Sequence, residues 1–162
     1  MGVMTRPRPM DDIVADLDRS QPICVISCNN CTRVSGAGGE AVLGPFCQEL
    51  RSRGFRVEQE VLITNPCSRG YLEDMELAAA TQAVVLMACR GAQSGFISLH
   101  PDLRMVPATE TMGLFVVSKA DGVIKLMAPF ADFAHLKHAE FGIGKVGDGP
   151  LPGMKLTTGG AA

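Results

Sequence analysis

Aromatic residues and a surplus of one charge are both scarce in this chain of 162 residues. It has no Trp, one Tyr and 5% aromatic residues overall, which disfavours a surface on which nucleic-acid bases stack. Its 15 Lys and Arg residues against 17 Asp and Glu residues give a net charge of -2. Since no basic excess is available to hold nucleic acid or an anionic membrane, we expect neither among its partners.

Long uncharged runs are also missing. The longest, such as residues 21–32 and 77–89, fall short of the roughly 20 apolar residues that a membrane-spanning helix needs. The opening MGVMTRPRPMDDIV has arginines with no apolar core behind them, unlike a secretory signal. We therefore expect a cytoplasmic protein, whose six cysteines serve as core residues or metal ligands rather than as disulfides.

The order of apolar segments predicts an α/β fold. Residues 23–27 (ICVIS), 56–64 (RVEQEVLIT) and 82–89 (QAVVLMAC) are predicted to be parallel strands, and the first and third are apolar on both faces. Helical periodicity at 10–17 precedes the first strand, and helical periodicity at 40–53 separates the first strand from the second. The pattern predicts a small doubly wound sheet, Rossmann-like or flavodoxin-like and mostly parallel.

The two ends of the chain differ from this pattern. Pro7 and Pro9 predict an irregular arm before the first helix. Residues 114–118 and 123–126 flank an Ala-Asp-Gly turn, which predicts a C-terminal hairpin.

The length suits one domain at about 150 residues per domain. From position 142 onward the sequence is rich in Gly and Pro. We therefore expect a single α/β metal-centre domain over residues 1–141 and an irregular tail over residues 142–162.

Four cysteines follow the predicted strands. Cys28 and Cys31 come after the first strand, Cys67 comes after the second, and Cys89 closes the third. Because the carboxyl ends of parallel strands share one edge of a sheet, these thiols should converge where α/β folds bind their ligands. Four thiolates hold zinc or an iron–sulfur cluster. Three separate segments suit the larger [4Fe–4S] body better than zinc, which usually takes two CxxC knuckles, so zinc is the alternative.

The remaining cysteines have a different setting. Cys24 lies inside the first strand and Cys47 lies beside Phe46 on a helix, so both are predicted to be packing residues. Arg33, Arg69 and Arg90 each lie one or two residues from a predicted ligand, where they would offset a cluster's negative charge or simply form a solvated rim.

The segment CNNCTRVSGAGGE at 28–40, together with the later lone cysteines, resembles the MetV family. That family is the small subunit, or C-terminal domain, of bacterial and archaeal methylenetetrahydrofolate reductases. Its pattern has a helix, a strand and CGTCxxVCxxGGE, then a lone cysteine and an apolar strand ending in Ala-Cys-Gly. Ser35 stands where the family has a third cysteine in the first loop. Fuller members also have a cysteine-rich C-terminal segment, whereas this chain has no cysteine after Cys89.

The resemblance, over about residues 10–120, implies a partner. That partner is a larger, flavin-bearing barrel that interconverts methylenetetrahydrofolate and methyltetrahydrofolate. The small subunit would supply an iron–sulfur or zinc centre that delivers electrons or orders a hetero-oligomeric complex. Two other functions stay open: a stand-alone thiol redox protein that uses Cys28 and Cys31 as a dithiol, and a structural zinc module that docks a partner.

Overall fold

Two four-stranded sheets form the framework of the computed structural model, which describes residues 1–118 and 120–147. The strands are β1 (Gly2–Pro7), β2 (Ile23–Cys28), β3 (Val57–Ile63), β4 (Ala83–Met87), β5 (Arg104–Pro107), β6 (Thr109–Ser118), β7 (Val123–Pro129) and β8 (Glu140–Gly142). The helices are α1 (Met10–Ala15), α2 (Cys31–Ser35), α3 (Glu40–Ser52), α4 (Arg69–Glu73) and α5 (Arg90–Leu99), followed by a 3-10 helix at Ala131–Leu136.

The first sheet is parallel, in the order β3-β2-β4-β5. Its two central strands are buried along their whole length, as expected for strands that are apolar on both faces. On one face, Ile13 of α1 and Leu50 of α3 belong to the same core cluster as Val25. On the other face, Leu72 of α4 and Phe96 of α5 join a second cluster around β2 and β4. Helices therefore cover both faces of this sheet.

The second sheet is antiparallel, in the order β1-β6-β7-β8. It has its own core, which includes Met4, Phe115, Leu126 and Phe141. The prediction of one doubly wound, mostly parallel sheet with an appended hairpin is therefore wrong. The predicted hairpin is present as β6 and β7, but it is the centre of a separate sheet.

The N-terminal segment explains the error. Residues predicted as an irregular arm form β1, which pairs with β6 in a register that joins Gly2 to Phe115. Pro7 is compatible with this strand because it lies at the end of an edge strand, where a missing N–H group breaks no ladder. A partner more than a hundred residues away leaves no local signal in the sequence.

Helix α2 joins the two layers. It follows the parallel strand β2, while its Val34 packs against the core of the antiparallel sheet. The segment after β8 closes over its C-terminus: the Gly144 N–H donates to the Val34 carbonyl (2.8 Å), and the Val146 N–H donates to the Ser35 carbonyl (2.9 Å). The predicted tail thus begins with packed residues, and its positions 148–162 lie outside the described residues.

Among the helices of residues 1–118 and 120–147, none has both the length and the apolar character needed to cross a bilayer.

Candidate metal centre

The structure brings the four predicted ligands to the carboxyl edge of the parallel sheet. Cys28 is the last residue of β2, and Cys31 is the first residue of α2. Cys67 lies in the loop between β3 and α4, while Cys89 directly precedes α5 after β4. This placement follows from the parallel registers of β2 with β3 and β4, which align the ends of all three strands.

The Cys67 thiol lies near the other three predicted ligands. Partial burial raises the pKa of the Cys67 thiol, and the charges of Cys89, Cys28 and Cys31 raise this pKa further. A methyl group placed on Gly91 would contact both the Cβ atom of Cys67 (3.8 Å) and the Sγ atom of Cys89 (3.9 Å). The Cys67 thiol is therefore within electrostatic reach of the thiols on the other two segments.

The centre has a buried side and an open side. Cys28 and Cys89 are buried, Cys31 is half-buried and Cys67 is exposed. The loop that bears Cys67 is tied to the first cysteine loop by a hydrogen bond from Asn30 Nδ2 to Asn65 Oδ1. Access from solvent is therefore from the Cys67 side.

Ser35 fixes the first cysteine loop to the rest of the fold. Its hydroxyl donates to the Cys31 carbonyl (3.1 Å) and accepts from the buried Thr5 N–H of β1 (3.2 Å). At the other end of the loop, the Gly39 N–H donates to Ser27 Oγ (2.8 Å). The glycine-bearing turn before α3 therefore contributes to the packing between strand and helix.

The chain around Cys89 is held by side chains from β6 of the antiparallel sheet and from α5. Thr109 Oγ1 donates to the Ala88 carbonyl at 2.6 Å, and Gln93 Nε2 donates to the same oxygen at 2.8 Å. The N–H of Arg90 donates to Thr111 Oγ1 at 2.8 Å. The position of Cys89, the last of the predicted ligands, is thus fixed in part by the β6 strand, which sequence patterns did not connect with the cysteines.

The chemistry of the four side chains, though not yet their arrangement, suits a soft metal or an iron–sulfur cluster, because all four are thiols. Two polar atoms of the first loop, Asn29 Oδ1 and Thr32 Oγ1, are buried with no hydrogen-bond partner within residues 1–118 and 120–147. The Thr32 hydroxyl has a proton that a thiolate or sulfide could accept. Over that same part of the chain, no group of three or more His, Cys, Asp or Glu side chains stands in a geometry that could hold a metal ion.

The other two cysteines are core residues, as the sequence predicts. Cys24 lies on β2 and Cys47 on α3, and each side chain is fully buried. Burial raises the pKa of each thiol to about 12, with nearby Glu60 contributing for Cys47. Both therefore stay protonated near neutral pH, which disfavours metal ligation.

The three arginines near the cysteines differ in their contacts. Arg69 forms an ion pair with Glu73 (2.6 Å) on α4. The aliphatic part of Arg33 packs over Gly39. The guanidinium of Arg90 lies 5.7 Å from the centre of the Phe130 ring. The positive charge nearest to Cys89 in the sequence therefore faces the antiparallel sheet.

The chain matches no protein-family model, no curated protein and no solved structure.

Sequence patterns missed a cleft that opens between the two sheets. Two of its basic residues, Arg6 and Arg8, come from the segment predicted to be irregular. Their spacing of two residues is typical of one face of a strand, and this was the available signal.

Proposed function

We propose that the protein is an accessory metal-centre subunit of a methylenetetrahydrofolate-reductase-type complex in the cytoplasm. In this proposal Cys28, Cys31, Cys67 and Cys89 hold a [4Fe–4S] cluster, with zinc as the alternative. The observation that carries it is the convergence of four thiols from three strand ends, where the Cys67 thiol interacts with the other three. The family resemblance of the first cysteine loop suggests the partner.

The chemistry of the donors supports a cluster. Thiolates are the usual ligands of [4Fe–4S] clusters, and such a cluster would accept and release single electrons. Ligands from three separate loops can surround a body larger than one ion. The Thr32 hydroxyl and the N–H groups of these loops are the donors that would hydrogen-bond to sulfur and set the potential.

The protein's own residues would keep water from one side of this centre and leave the other side open. Cys28 and Cys89 belong to the apolar cluster that also contains Leu72 and Ala92. Cys67 is exposed, and so is Tyr71 on the helix that follows it. We assign this open side to the flavin-bearing partner, since electron transfer requires the two centres to approach closely.

Anaerobic purification followed by visible absorption spectroscopy and metal analysis tests the centre. A broad visible band with iron and sulfide supports the cluster. Colourless protein with stoichiometric zinc supports the structural module. Protein with neither metal, in which Cys28 and Cys31 cycle between dithiol and disulfide, supports the thiol redox alternative.

Single substitutions test the ligand assignment. Each of Cys28→Ser, Cys31→Ser, Cys67→Ser and Cys89→Ser should lose most of the metal, because a hydroxyl is a poor substitute for a soft thiolate. Cys24→Ala and Cys47→Ala are the matched controls and should retain the metal of the wild-type protein. Full metal retention in Cys67→Ser or Cys89→Ser would contradict the assignment.

Copurification from the native host tests the partner. A flavoprotein that reduces methylenetetrahydrofolate should accompany the tagged protein through two purification steps. A stable monomer that carries its metal without any flavoprotein would contradict the proposed complex while leaving the metal centre intact.

A further inference from the structure

The cleft between the two sheets is a second concave site, separate from the four thiols. Its volume is about 520 Å³, within the range of roughly 300–1,000 Å³ that small-molecule sites occupy. Strands β1, β5 and β6, the start of α5 and the 3-10 helix line it. Its charged lining residues include Arg6, Arg8, Arg90, Glu110 and Asp132.

The three arginines of the cleft are engaged to different degrees. Arg8 donates to the Pro107 carbonyl (2.7 Å) and to Asp16 (2.9 Å). Arg6 uses Nε to bind Glu110 (2.7 Å), its cross-strand neighbour in the β1–β6 register. In the described part of the chain, Arg90 has no carboxylate within ion-pair distance. Arg90 is thus the guanidinium that a bound anion would engage.

The charge of the lining suits a monoanion. Arg6 is balanced by Glu110 and Arg8 by Asp16. The charged lining residues outside these ion pairs are therefore Arg90 and Asp132, and Arg90 supplies the one guanidinium charge that the pairs leave uncompensated. One carboxylate on the ligand would balance this charge. A phosphate monoester with two negative charges would leave one negative charge uncompensated in a partly enclosed site.

Apolar residues also line the cleft. They are Phe133, Leu136 and Pro107, and the guanidinium of Arg6 lies 5.0 Å from the centre of the Phe133 ring. We propose that this cleft binds a small organic carboxylate with an apolar body, whose carboxylate pairs with Arg90 and whose body packs against Phe133. Guanidinium groups bind carboxylates through two parallel N–H donors, which gives this pair a defined geometry.

The backbone of the proposed anion site is fixed before any ligand binds. The N–H of Arg90 is held by Thr111, and Gln93 of the same helix donates to the Thr109 carbonyl (3.2 Å). The start of α5 is therefore anchored to β6, and little backbone order has to be gained on binding. The site needs no metal on the cysteines, so it is independent of the proposed function.

Isothermal titration calorimetry of the full chain with benzoate tests this site. We expect benzoate to bind with millimolar affinity, and neutral benzamide to bind at least about tenfold more weakly. Phenyl phosphate should bind no more tightly than benzoate. Arg90→Gln should weaken benzoate binding by about tenfold, and Arg90→Lys should weaken it less because the charge remains.

Arg69→Gln is the matched control, because it removes an exposed arginine outside the cleft and should leave benzoate binding unchanged. Circular dichroism of each variant shows whether it is folded. Equal benzoate binding by the wild type and Arg90→Gln would overturn the proposal, as would equal binding of benzoate and benzamide. Tighter binding of phenyl phosphate would overturn the assignment to carboxylates.

Discussion

Gly36 and Gly122 both adopt left-handed backbone conformations, with φ angles of 77° and 65°. Their surroundings differ. A Cβ atom on Gly36 would lie 2.1 Å from the carbonyl oxygen of Gly144, whereas one on Gly122 would meet nothing within 4 Å. Comparing an alanine substitution at each glycine therefore distinguishes the cost of the left-handed backbone from the cost of the steric clash at the end of α2.

We expect Gly36→Ala to lower the free energy of unfolding by on the order of 3 kcal/mol, because strain and a backbone clash act together. Gly122→Ala should lower it by only about 1 kcal/mol, the cost of the left-handed conformation. Urea denaturation of both variants at equal metal content measures the difference. Equal effects would mean that the segment around Gly144 can move away from α2 at little cost.

The buried thiols of Cys24 and Cys47 predict a loss of stability at alkaline pH. Their pKa values rise from 9.0 to about 12 on folding, so between these values the unfolded chain releases protons that the folded protein retains. Their contribution is fully present below pH 9 and is lost as the pH rises towards 12. The free energy of unfolding should therefore fall more steeply in the wild type than in Cys24→Ala or Cys47→Ala. Parallel pH profiles would contradict this linkage.

At the scale of elements, Ser35 is the connection between α2 and β1. Ser35→Ala leaves the buried Thr5 N–H without its acceptor, which should cost about 1–3 kcal/mol. Hydrogen exchange read by mass spectrometry should become faster in peptides that contain β1. The exchange of β4 serves as an internal reference.

Ser98→Ala is the matched control for Ser35→Ala. Both hydroxyls donate to the carbonyl four residues earlier, but Ser98 is exposed on α5 and accepts no buried N–H. The control should change the free energy of unfolding by at most about 0.5 kcal/mol. An equally small effect of Ser35→Ala would show that water can satisfy the Thr5 amide.

The elements that sequence patterns predicted well are those whose signal is local. The ICVIS and QAVVLMAC segments form β2 and β4 because strands buried on both faces must be apolar throughout. Helix α4 ends at Glu73, before Met75 and Leu77. Met75 and Leu77 still pack against the core from an irregular segment, so their apolar character reflected burial rather than helix.

The candidate metal centre and the cleft show the same difference between features with a local sequence signal and features that depend on distant strand pairing. Cys28, Cys67 and Cys89 could be placed together because parallel strand order alone brings their loops to one edge. The cleft depends on β1 pairing with β6, and neither strand signals its partner. The hydrogen bond from the Arg90 N–H to Thr111 likewise joins two separate segments, so no pattern within either segment predicts it.

For the whole molecule, the proposed centre predicts a coupling between metal content and folding. A metal held by loops after β2, β3 and β4 binds the folded state and should raise its stability. Chelation under anaerobic conditions should therefore lower the melting temperature measured by scanning calorimetry. The same treatment of Cys67→Ser, which has already lost its metal in this proposal, should have little effect. A melting temperature of the wild type unchanged by complete metal removal would contradict a shared site.

The pairing of Gly2 with Phe115 also constrains the order in which a ribosome can complete the molecule. At about 5–20 residues per second, synthesis of the intervening chain takes on the order of ten seconds. During that interval β1 has been synthesised but its partner strand β6 has not. Strands β2, β3 and β4 are synthesised in succession and can pair with one another. The C-terminus of helix α2, which begins with Cys31, is completed later still, because Gly144, whose N–H donates to the Val34 carbonyl, is synthesised after β6. The cysteine loops are therefore formed before the antiparallel sheet closes behind them, and in the proposed function this is the interval in which they would acquire their metal.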